Sequence, residues 1–565
     1  MNDSWRVKIN KLETGVPGLD RVLGGGLPEY SFNLIAGGPG TGKTTLVHQI
    51  AFHLSSPQRK ALYVTVLGEP PLKMLRYQQQ YSFFDRTKLD DMIHFVNLSE
   101  IILDRDLSHA LDAIVREVER VNPAIVVVDS FRTVVRVATR QETGEMALQT
   151  FVQRLSLHLT SWQATTFLVG EYEESELRDN PVFTVADGII WLQQSIERNS
   201  VVRKLQVIKM RGQAPMPGLH TFRITGDGLQ VFPRIYRPEE RREERRQGHR
   251  ISTGIADLDE LTHGGVFAGD SVLVAGPSGS GKSILSAQFI AEGARRGETG
   301  LIAVFEEHTE EYLKRAAKLG IDLKGMVDRG QLRVIYLRPL DLSVDETLQE
   351  IREATEGIGA TRVVIDSLSG FELALAPTFR EDFRESMYRM VGALTGLGIT
   401  VLMTVEVTEA FDELKFSPHA ISFLADDIIL QRYMELDGKV RRWMVVVKMR
   451  SSDHSKDMRE YEITDRGIVM GRTLDAYRGM FTGVPEVRVP AKRLAYPGLT
   501  DQEIGVLEAL AGLGEATAEA VAKAAGLKRA ELAPILDRMV ALNYAVAVAE
   551  KGNTLYRPAV RPLGT

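Results

Sequence analysis

The chain contains no cysteine among its 565 residues. That excludes disulfides, thiolate zinc sites and cysteine nucleophiles, and it agrees with a cytosolic setting. It also lacks any uninterrupted apolar run of about 18 residues, the length that a membrane-spanning helix needs. The first residues, Met1-Asn2-Asp3-Ser4-Trp5-Arg6-Val7-Lys8, hold no apolar signal-peptide core. A cytoplasmic protein with no membrane partner is therefore expected. A strong charge of one sign is missing too. The formal net charge of −6 gives no global field toward nucleic acid or anionic membrane. With 44% hydrophobic and 25% charged residues, the composition is that of an ordinary globular protein.

One feature is present twice. Gly37-Gly38-Pro39-Gly40-Thr41-Gly42-Lys43-Thr44 and Gly276-Pro277-Ser278-Gly279-Ser280-Gly281-Lys282-Ser283 both fit G-x-x-x-x-G-K-[ST]. Small residues let successive backbone N–H groups curl around phosphate oxygens. The lysine neutralises β/γ charge, and the hydroxyl that follows is a Mg²⁺ ligand. Each loop follows an apolar run (Phe32-Asn33-Leu34-Ile35-Ala36; Ser271-Val272-Leu273-Val274-Ala275) and opens a helix whose N-terminus favours an anion. The expected ATP contacts are Gly38, Pro39, Gly40, Thr41, Gly42, Lys43, Thr44 and Thr45. In the second loop they are Pro277, Ser278, Gly279, Ser280, Gly281, Lys282, Ser283 and Ile284.

The repeat extends past the loops. Lys43 and Lys282 are 239 positions apart, as are Lys209-Met210-Arg211 and Lys448-Met449-Arg450. Val126-Val127-Val128-Asp129-Ser130 recurs as Val363-Val364-Ile365-Asp366-Ser367. Thr14-Gly15-Val16-Pro17-Gly18-Leu19-Asp20 recurs as Thr253-Gly254-Ile255-Ala256-Asp257-Leu258-Asp259. A period this long is a duplicated domain, since solenoid repeats run about 20–50 residues.

Strand candidates in the first half are 61–66, 125–128, 166–169 and 188–192, with helices over 44–54 and 107–121. The second half repeats them at 301–305, 362–365, 400–404 and 427–431. Short apolar runs separated by helices predict an α/β fold, a mainly parallel sheet covered on both faces. Residues 234–250 hold seven Arg and four Glu without apolar periodicity and read as a solvated linker. From 499 onward the pattern changes. A capping box at Thr500 and Glu503 opens a helix, a second helix stops at Gly526, and a third spans 529–542. A hairpin over 544–556 follows. Three helices plus a hairpin resemble a winged helix, a small α+β module. The predicted division is 1–235, a linker 236–250, 251–480, a linker 481–498, and 499–565.

Hydrolysis of ATP needs held phosphates, neutralised charge and an oriented water. The second half has all the parts: Lys282, Ser283, Asp366 for the metal, and Glu306-Glu307 after an apolar run, as candidate catalytic carboxylates. The metal set is Thr44 and Asp129 in the first half and Ser283 and Asp366 in the second. The first half carries Leu67-Gly68 where the second carries Glu306-Glu307. Losing a general base costs roughly 10²–10⁴ in rate. The first half is therefore expected to bind ATP and hydrolyse it slowly or not at all. Lys209, Arg211, Lys448 and Arg450 lie late in each half on apolar strands, where alternate spacing puts both side chains of a pair on one face. Their recurrence at the loop's own offset points to phosphate contacts across a subunit boundary, as an arginine finger makes.

Together, both loops, Asp129 and Asp366, Glu306-Glu307 and the two Lys-x-Arg pairs resemble the KaiC family of double-domain RecA-like clock ATPases, over roughly residues 8–472. The resemblance implies two tandem RecA-like domains, a homohexamer with nucleotide between subunits, and a nucleotide-driven switch or clock-type regulator. It also implies Ser/Thr autokinase activity in the second tier, with Glu306 as general base, and a KaiB-like or signalling partner. The family's adjacent Ser-Thr phosphorylation pair falls on Ser422-Phe423, which leaves Ser422 as the one matching acceptor. The family's short C-terminal tail is replaced by the module from 499, a candidate for protein contacts or higher-order assembly.

Two other readings compete. One is a RecA-like DNA-transaction (repair or recombination accessory) or DNA-binding regulatory ATPase. The module from 499 has seven Lys/Arg against eight Asp/Glu, which disfavours DNA. The other is a scaffold in which ATP only cements subunits, and Glu306-Glu307 argues against it.

Overall fold

A computed structural model describes residues 9–66, 71–99, 107–138, 144–178, 180–197, 200–234, 248–337, 343–375, 383–407, 424–436, 438–450, 452–475, 477–478, 486–487, 496, 498–550 and 553–559. The apolar runs of the first half form β1 (Phe32–Gly37), β2 (Ala61–Thr65), β3 (Ile93–Asn97), β4 (Ile125–Asp129), β5 (Thr165–Glu171) and β6 (Gly188–Glu197), all paired in parallel. Strands β7 (Ser200–Met210), β8 (His220–Thr225) and β9 (Gly228–Phe232) continue the sheet antiparallel, giving the order β9-β8-β7-β6-β1-β5-β4-β2-β3.

Successive side chains leave a strand on opposite faces, and both faces here are apolar. Leu34, Ala36, Leu62, Val64, Val126 and Val128 belong to one core. Ile35, Ala61, Tyr63, Ile125 and Val127 belong to the other. Helix α1 (Lys43–Leu54) covers the second face through Leu46, Val47 and Ile50, while α2 (Leu107–Val121) and α3 (Gly144–Ser161) cover the first through Ile114, Val118, Val152 and Leu155. Strands covered on both sides read as continuous apolar runs, which is why the sequence marks them so clearly.

The second half repeats the plan. Its strands are β10 (Ser271–Gly276), β11 (Gly300–Val304), β12 (Leu332–Tyr336), β13 (Arg362–Asp366), β14 (Thr400–Glu406), β15 (Asp427–Leu436), β16 (Lys439–Met449), β17 (Arg459–Thr464) and β18 (Gly467–Thr473). The order β12-β11-β13-β14-β10-β15-β16-β17-β18, read from its far edge, is the first sheet's order. Its helices include α4 (Lys282–Arg295), α5 (Thr309–Ala317), α6 (Val344–Ile358), α7 (Leu368–Ala374) and α8 (Phe383–Gly396). These are two tandem RecA-like α/β domains. The edge strands β3 and β12 and the outer antiparallel strands β8, β9, β17 and β18 fall outside the strands predicted from sequence, whereas β7 and β16 hold the expected Lys209 and Lys448. Both edge strands are only partly buried, so their apolar pattern is broken.

Residues from Thr473 belong to a second compact unit. It contains α9 (Asp501–Leu513), β19 (Ala516–Thr517), α10 (Ala518–Ala525), α11 (Arg529–Ala541), β20 (Ala545–Glu550) and β21 (Asn553–Pro558). The strands form an antiparallel sheet in the order β19-β21-β20. Thr500 and Glu503 make the reciprocal hydrogen bonds of a capping box, and Leu507, Leu510, Val521, Leu532 and Leu536 pack in the core. Among the described residues, no helix is long and apolar enough to cross a membrane.

One buried group makes folding pH-dependent. Asp270, Asp426 and Asp427 are each 1% exposed, where the first half has Ser31, Asp187 and Gly188. Neither oxygen of Asp427 has a hydrogen-bond partner among the described residues. Burial first, then Asp270 and Asp426, push the Asp427 carboxyl up to about 8. The folded chain therefore keeps a proton that the unfolded chain releases near the ordinary aspartate value of about 4. Stability must fall as pH rises between those two values and then level off. Asp427→Asn should remove this slope. Thermal unfolding should show the variant gaining on the wild type steadily from pH 5 to pH 8, and a constant difference across that range would contradict the assignment.

Candidate nucleotide site

Each loop is built where the central parallel strand meets the following helix. Gly40 and Gly42 have φ of +70° and +96°, and Gly279 and Gly281 have +74° and +103°. A Cβ on Gly42 would lie 2.6 Å from Ile224 Cδ1 on β8, and one on Gly281 would lie 3.0 Å from Ile463 Cδ1 on β17. Glycine is required there for the left-handed backbone.

Lys43 Nζ donates to Gly38 O at 2.6 Å, and Lys282 Nζ donates to Gly276 O and Pro277 O at 2.9 and 2.8 Å. Both ammonium groups thus sit within the curve of their loops. Burial lowers the pKa of each, and nearby carboxylates oppose the shift: Glu171 and Asp129 in the first half, Glu406, Asp366 and Glu306 in the second. A cavity of about 460 Å³ opens at the first loop, lined by Gly42, Lys43, Thr44, Thr45, Asp129 and Glu171 among others. Its size suits a small-molecule ligand.

In the first half the expected metal residues come together. Thr44 Oγ1 donates to Asp129 Oδ2 at 2.8 Å, and Tyr63 OH donates to the same oxygen at 2.9 Å. Burial raises the Asp129 pKa, against the pull of those two hydrogen bonds and of Lys43. In the second half Thr404 Oγ1 donates to Asp366 Oδ1 at 2.6 Å. Asp366 also faces the buried Tyr312 hydroxyl, whose pKa is raised by burial first and then by this carboxylate. In the first half Thr44 and Asp129 meet at one buried carboxylate oxygen, an all-oxygen pair that suits a hydrated divalent cation such as Mg²⁺.

Glu306 and Glu307 follow β11, and each is held. Ser367 Oγ donates to Glu306 Oε1 at 2.5 Å while accepting from Gly370 N at the start of α7. Arg315 on α5 pairs with Glu307 Oε1 at 2.5 Å. Glu307 has a raised pKa, through burial first, with Arg315 opposing and Asp366, Glu311 and Glu306 adding to the rise. Leu67, Gly68 and Ser422 lie outside the described residues.

The Lys-x-Arg pairs lie elsewhere. Lys209 Nζ donates to Thr184 O at 3.1 Å, Arg211 Nη1 bonds Asp187 Oδ1 at 3.0 Å, and Lys448 Nζ donates to Ala425 O at 2.7 Å. Lys209 stands opposite Ile189 at the start of β6, whereas Gly37 of the loop stands opposite Leu192. At about 3.3 Å per residue, that is roughly 10 Å toward the other end of the sheet. None of the four residues lines its own chain's cavity at the first loop.

Several contacts escape the sequence. Glu171 and Glu406 stand opposite the loop residues Gly37 and Gly276 on the neighbouring parallel strand. Their spacing is 235 positions, off the 239 offset that aligns the loops, so the repeat does not flag them. Ser367 recurs as Ser130 beside each buried aspartate, a signal that was legible. Arg315 has none.

A buried acid near a phosphate loop, on a doubly covered parallel sheet and repeated in one chain, defines a tandem P-loop ATPase. Comparison with known proteins narrows this. The KaiC ATPase family model matches residues 12–236 and 251–474. The circadian clock oscillator protein KaiC of a Picosynechococcus species is 28% identical over 485 residues, 84% of this chain and 92% of that protein. KaiC 1 of a Synechocystis species is 28% identical over 497 residues, covering 86% and 93%. KaiC of Prochlorococcus marinus is 28% identical over 491 residues, covering 85% and 97%. The chain belongs to the KaiC ATPase family.

The ion pair at Glu307 yields a pH prediction. Arg315 favours the charged carboxylate, so Arg315→Gln should raise the Glu307 pKa further. The acid limb of the turnover profile should then move to higher pH. Steady-state rates from pH 5 to pH 8 would show it, and an unmoved limb would separate Glu307 from the rate.

Proposed function

We propose that the protein is a homo-oligomeric ATPase, a hexameric ring with ATP between subunits, that works as a nucleotide-driven switch or timer. Hydrolysis runs mainly in the second domain, and the first domain chiefly binds ATP. The carrying observation is the pair Glu306-Glu307, held by Ser367 and Arg315 beside Lys282 and Asp366. The first half has Leu67-Gly68 instead.

In this mechanism the loop backbone and Lys282 hold the γ-phosphate and offset its charge. Mg²⁺ held through Ser283 and Asp366 would supply further charge neutralisation. Ser367 occupies one oxygen of Glu306, which leaves the other to accept a proton from the attacking water. The water oxygen forms a bond to the γ-phosphorus as the bond to the β–γ bridging oxygen breaks, and ADP leaves with that electron pair. Lys448 and Arg450 reach the neighbouring subunit's phosphates, and Lys209 and Arg211 do so in the first tier.

The finer parts of the proposal rest on the family. Autophosphorylation at Ser422, with Glu306 taking the hydroxyl proton, would give a two-state mark on each subunit. The module from 499 is read as winged-helix-like, serving contacts with a KaiB-like or other signalling protein, or between rings. Its near-neutral charge does not favour DNA. The proposed setting is cytoplasmic.

Three measurements separate these parts. Glu306→Gln combined with Glu307→Gln should remove most ATP turnover, by roughly 10²-fold or more, while nucleotide stays bound. Retention of half the activity would move the chemistry elsewhere. Lys43→Ala should loosen the ring more than it slows turnover, which light scattering with and without ATP would detect. Phosphate label that persists in Ser422→Ala would place the acceptor at another residue.

A further inference from the structure

The two arginines assigned to neighbouring subunits are held by the same four contacts, repeated in both halves. Asp187 N donates to Phe32 O at 2.7 Å, and Asp187 Oδ2 accepts from Phe32 N at 3.1 Å. On its other side Asp187 O accepts from Arg211 N at 3.0 Å, and Asp187 Oδ1 accepts from Arg211 Nη1 at 3.0 Å. Asp426 does the same between Ser271 and Arg450. Its N donates to Ser271 O at 2.9 Å and its Oδ2 accepts from Ser271 N at 3.2 Å. Its O and Oδ1 accept from Arg450 N and Nη1 at 3.0 and 3.3 Å.

Phe32 and Ser271 are the first residues of β1 and β10, and the last residues of those strands, Gly37 and Gly276, begin the phosphate loops. Each aspartate therefore joins the foot of a subunit's own loop strand to the arginine offered outward. The carboxylates are more buried than their partners. The Asp187 side chain is 29% exposed against 64% for Arg211, and that of Asp426 is 1% exposed against 45% for Arg450. A buried carboxylate fixed by a backbone N–H is a rigid anchor for a longer, more exposed side chain.

We propose that Asp187 and Asp426 are positioning residues that aim Arg211 and Arg450 at the nucleotide of the adjacent subunit. They tie the cis phosphate loop to the trans arginine through one strand. The inference rests on the cross-subunit reading of the Lys-x-Arg pairs. An arginine finger is worth 10³–10⁵ in rate, and a displacement of about 1 Å can cost 10²-fold. Asp426→Asn keeps an acceptor for Ser271 N but loses the charge that orients Arg450, so turnover should fall about tenfold. The Michaelis constant should change far less, because its own loop is intact.

The decisive test is complementation in mixed rings. Asp426→Asn subunits are mixed with Glu306→Gln, Glu307→Gln subunits, whose arginines are intact, and assembled with ATP. A neighbour's arginine should restore the Asp426→Asn site, raising its turnover to about half of the wild-type value at equal mixing. Arg450→Ala mixed in the same way tests the cross-subunit reading itself, and no rescue there overturns that reading. Rescue of Arg450→Ala without rescue of Asp426→Asn would show that Asp426 acts in its own domain, and overturns the proposal alone. An Asp426→Asn chain with wild-type turnover would also overturn it. If that chain does not assemble, the first half decides. Asp187→Asn and Arg211→Ala should raise the ATP concentration needed for ring formation to the same extent, and an effect of Arg211→Ala alone would refute the role of Asp187.

Discussion

The register between the loop strand and its parallel neighbours is the constraint on which the site depends. Gly37 is fixed opposite Glu171, and Thr65 opposite Asp129. In the second half Gly276 is fixed opposite Glu406, and Val304 opposite Asp366. A slip of one residue in any strand would turn its acid to the other face of the sheet. Apolar burial on both faces forbids the slip, because Ile125 to Val128 of β4 and Val363 to Ile365 of β13 are all buried. The chemistry is thus held in place by aliphatic packing that never touches a substrate.

Duplication preserved that frame and let the supporting contacts diverge. Both buried aspartates stand next to a fully buried tyrosine, yet the tyrosines come from different elements. Tyr63 lies on β2, whereas Tyr312 lies on α5, and each has its pKa raised by burial first and then by its aspartate. Tyr63 packs against His48, whose ring centroid is 4.5 Å away and whose pKa burial lowers to about 3. In the second half α5 instead brings Arg315 to Glu307. One helix of the second half thus supplies both the tyrosine beside Asp366 and the grip on Glu307. This divergence agrees with one half specialised for binding and one for turnover.

The sequence made the central fold legible because its strands are continuous apolar runs and because each motif occurs twice. The loops and the buried aspartates were found on that basis. Of the antiparallel strands, β7 was legible only where it carries Lys209, and β8 was not, since its far end turns half-buried and exposed and the run breaks up. Ser367 and Glu306 are 61 residues apart, and Arg315 reaches Glu307 only once α5 folds back over the strand end. Contacts of that kind depend on tertiary packing and leave no periodic trace. The anchoring role of Asp187 and Asp426 was hidden for another reason. A single aspartate before a strand reads as a turn residue, and only the paired geometry sets it apart.

The central claim is that one fold, present twice, binds ATP in its first copy and hydrolyses it in its second. The most direct measurement is the identity of the nucleotide that intact rings retain. Wild-type rings, incubated with ATP, washed and denatured, should release ATP from the first domain and ADP from the second, whereas rings of Glu306→Gln, Glu307→Gln should release ATP almost alone. Equal ADP fractions from the two would contradict the division of labour.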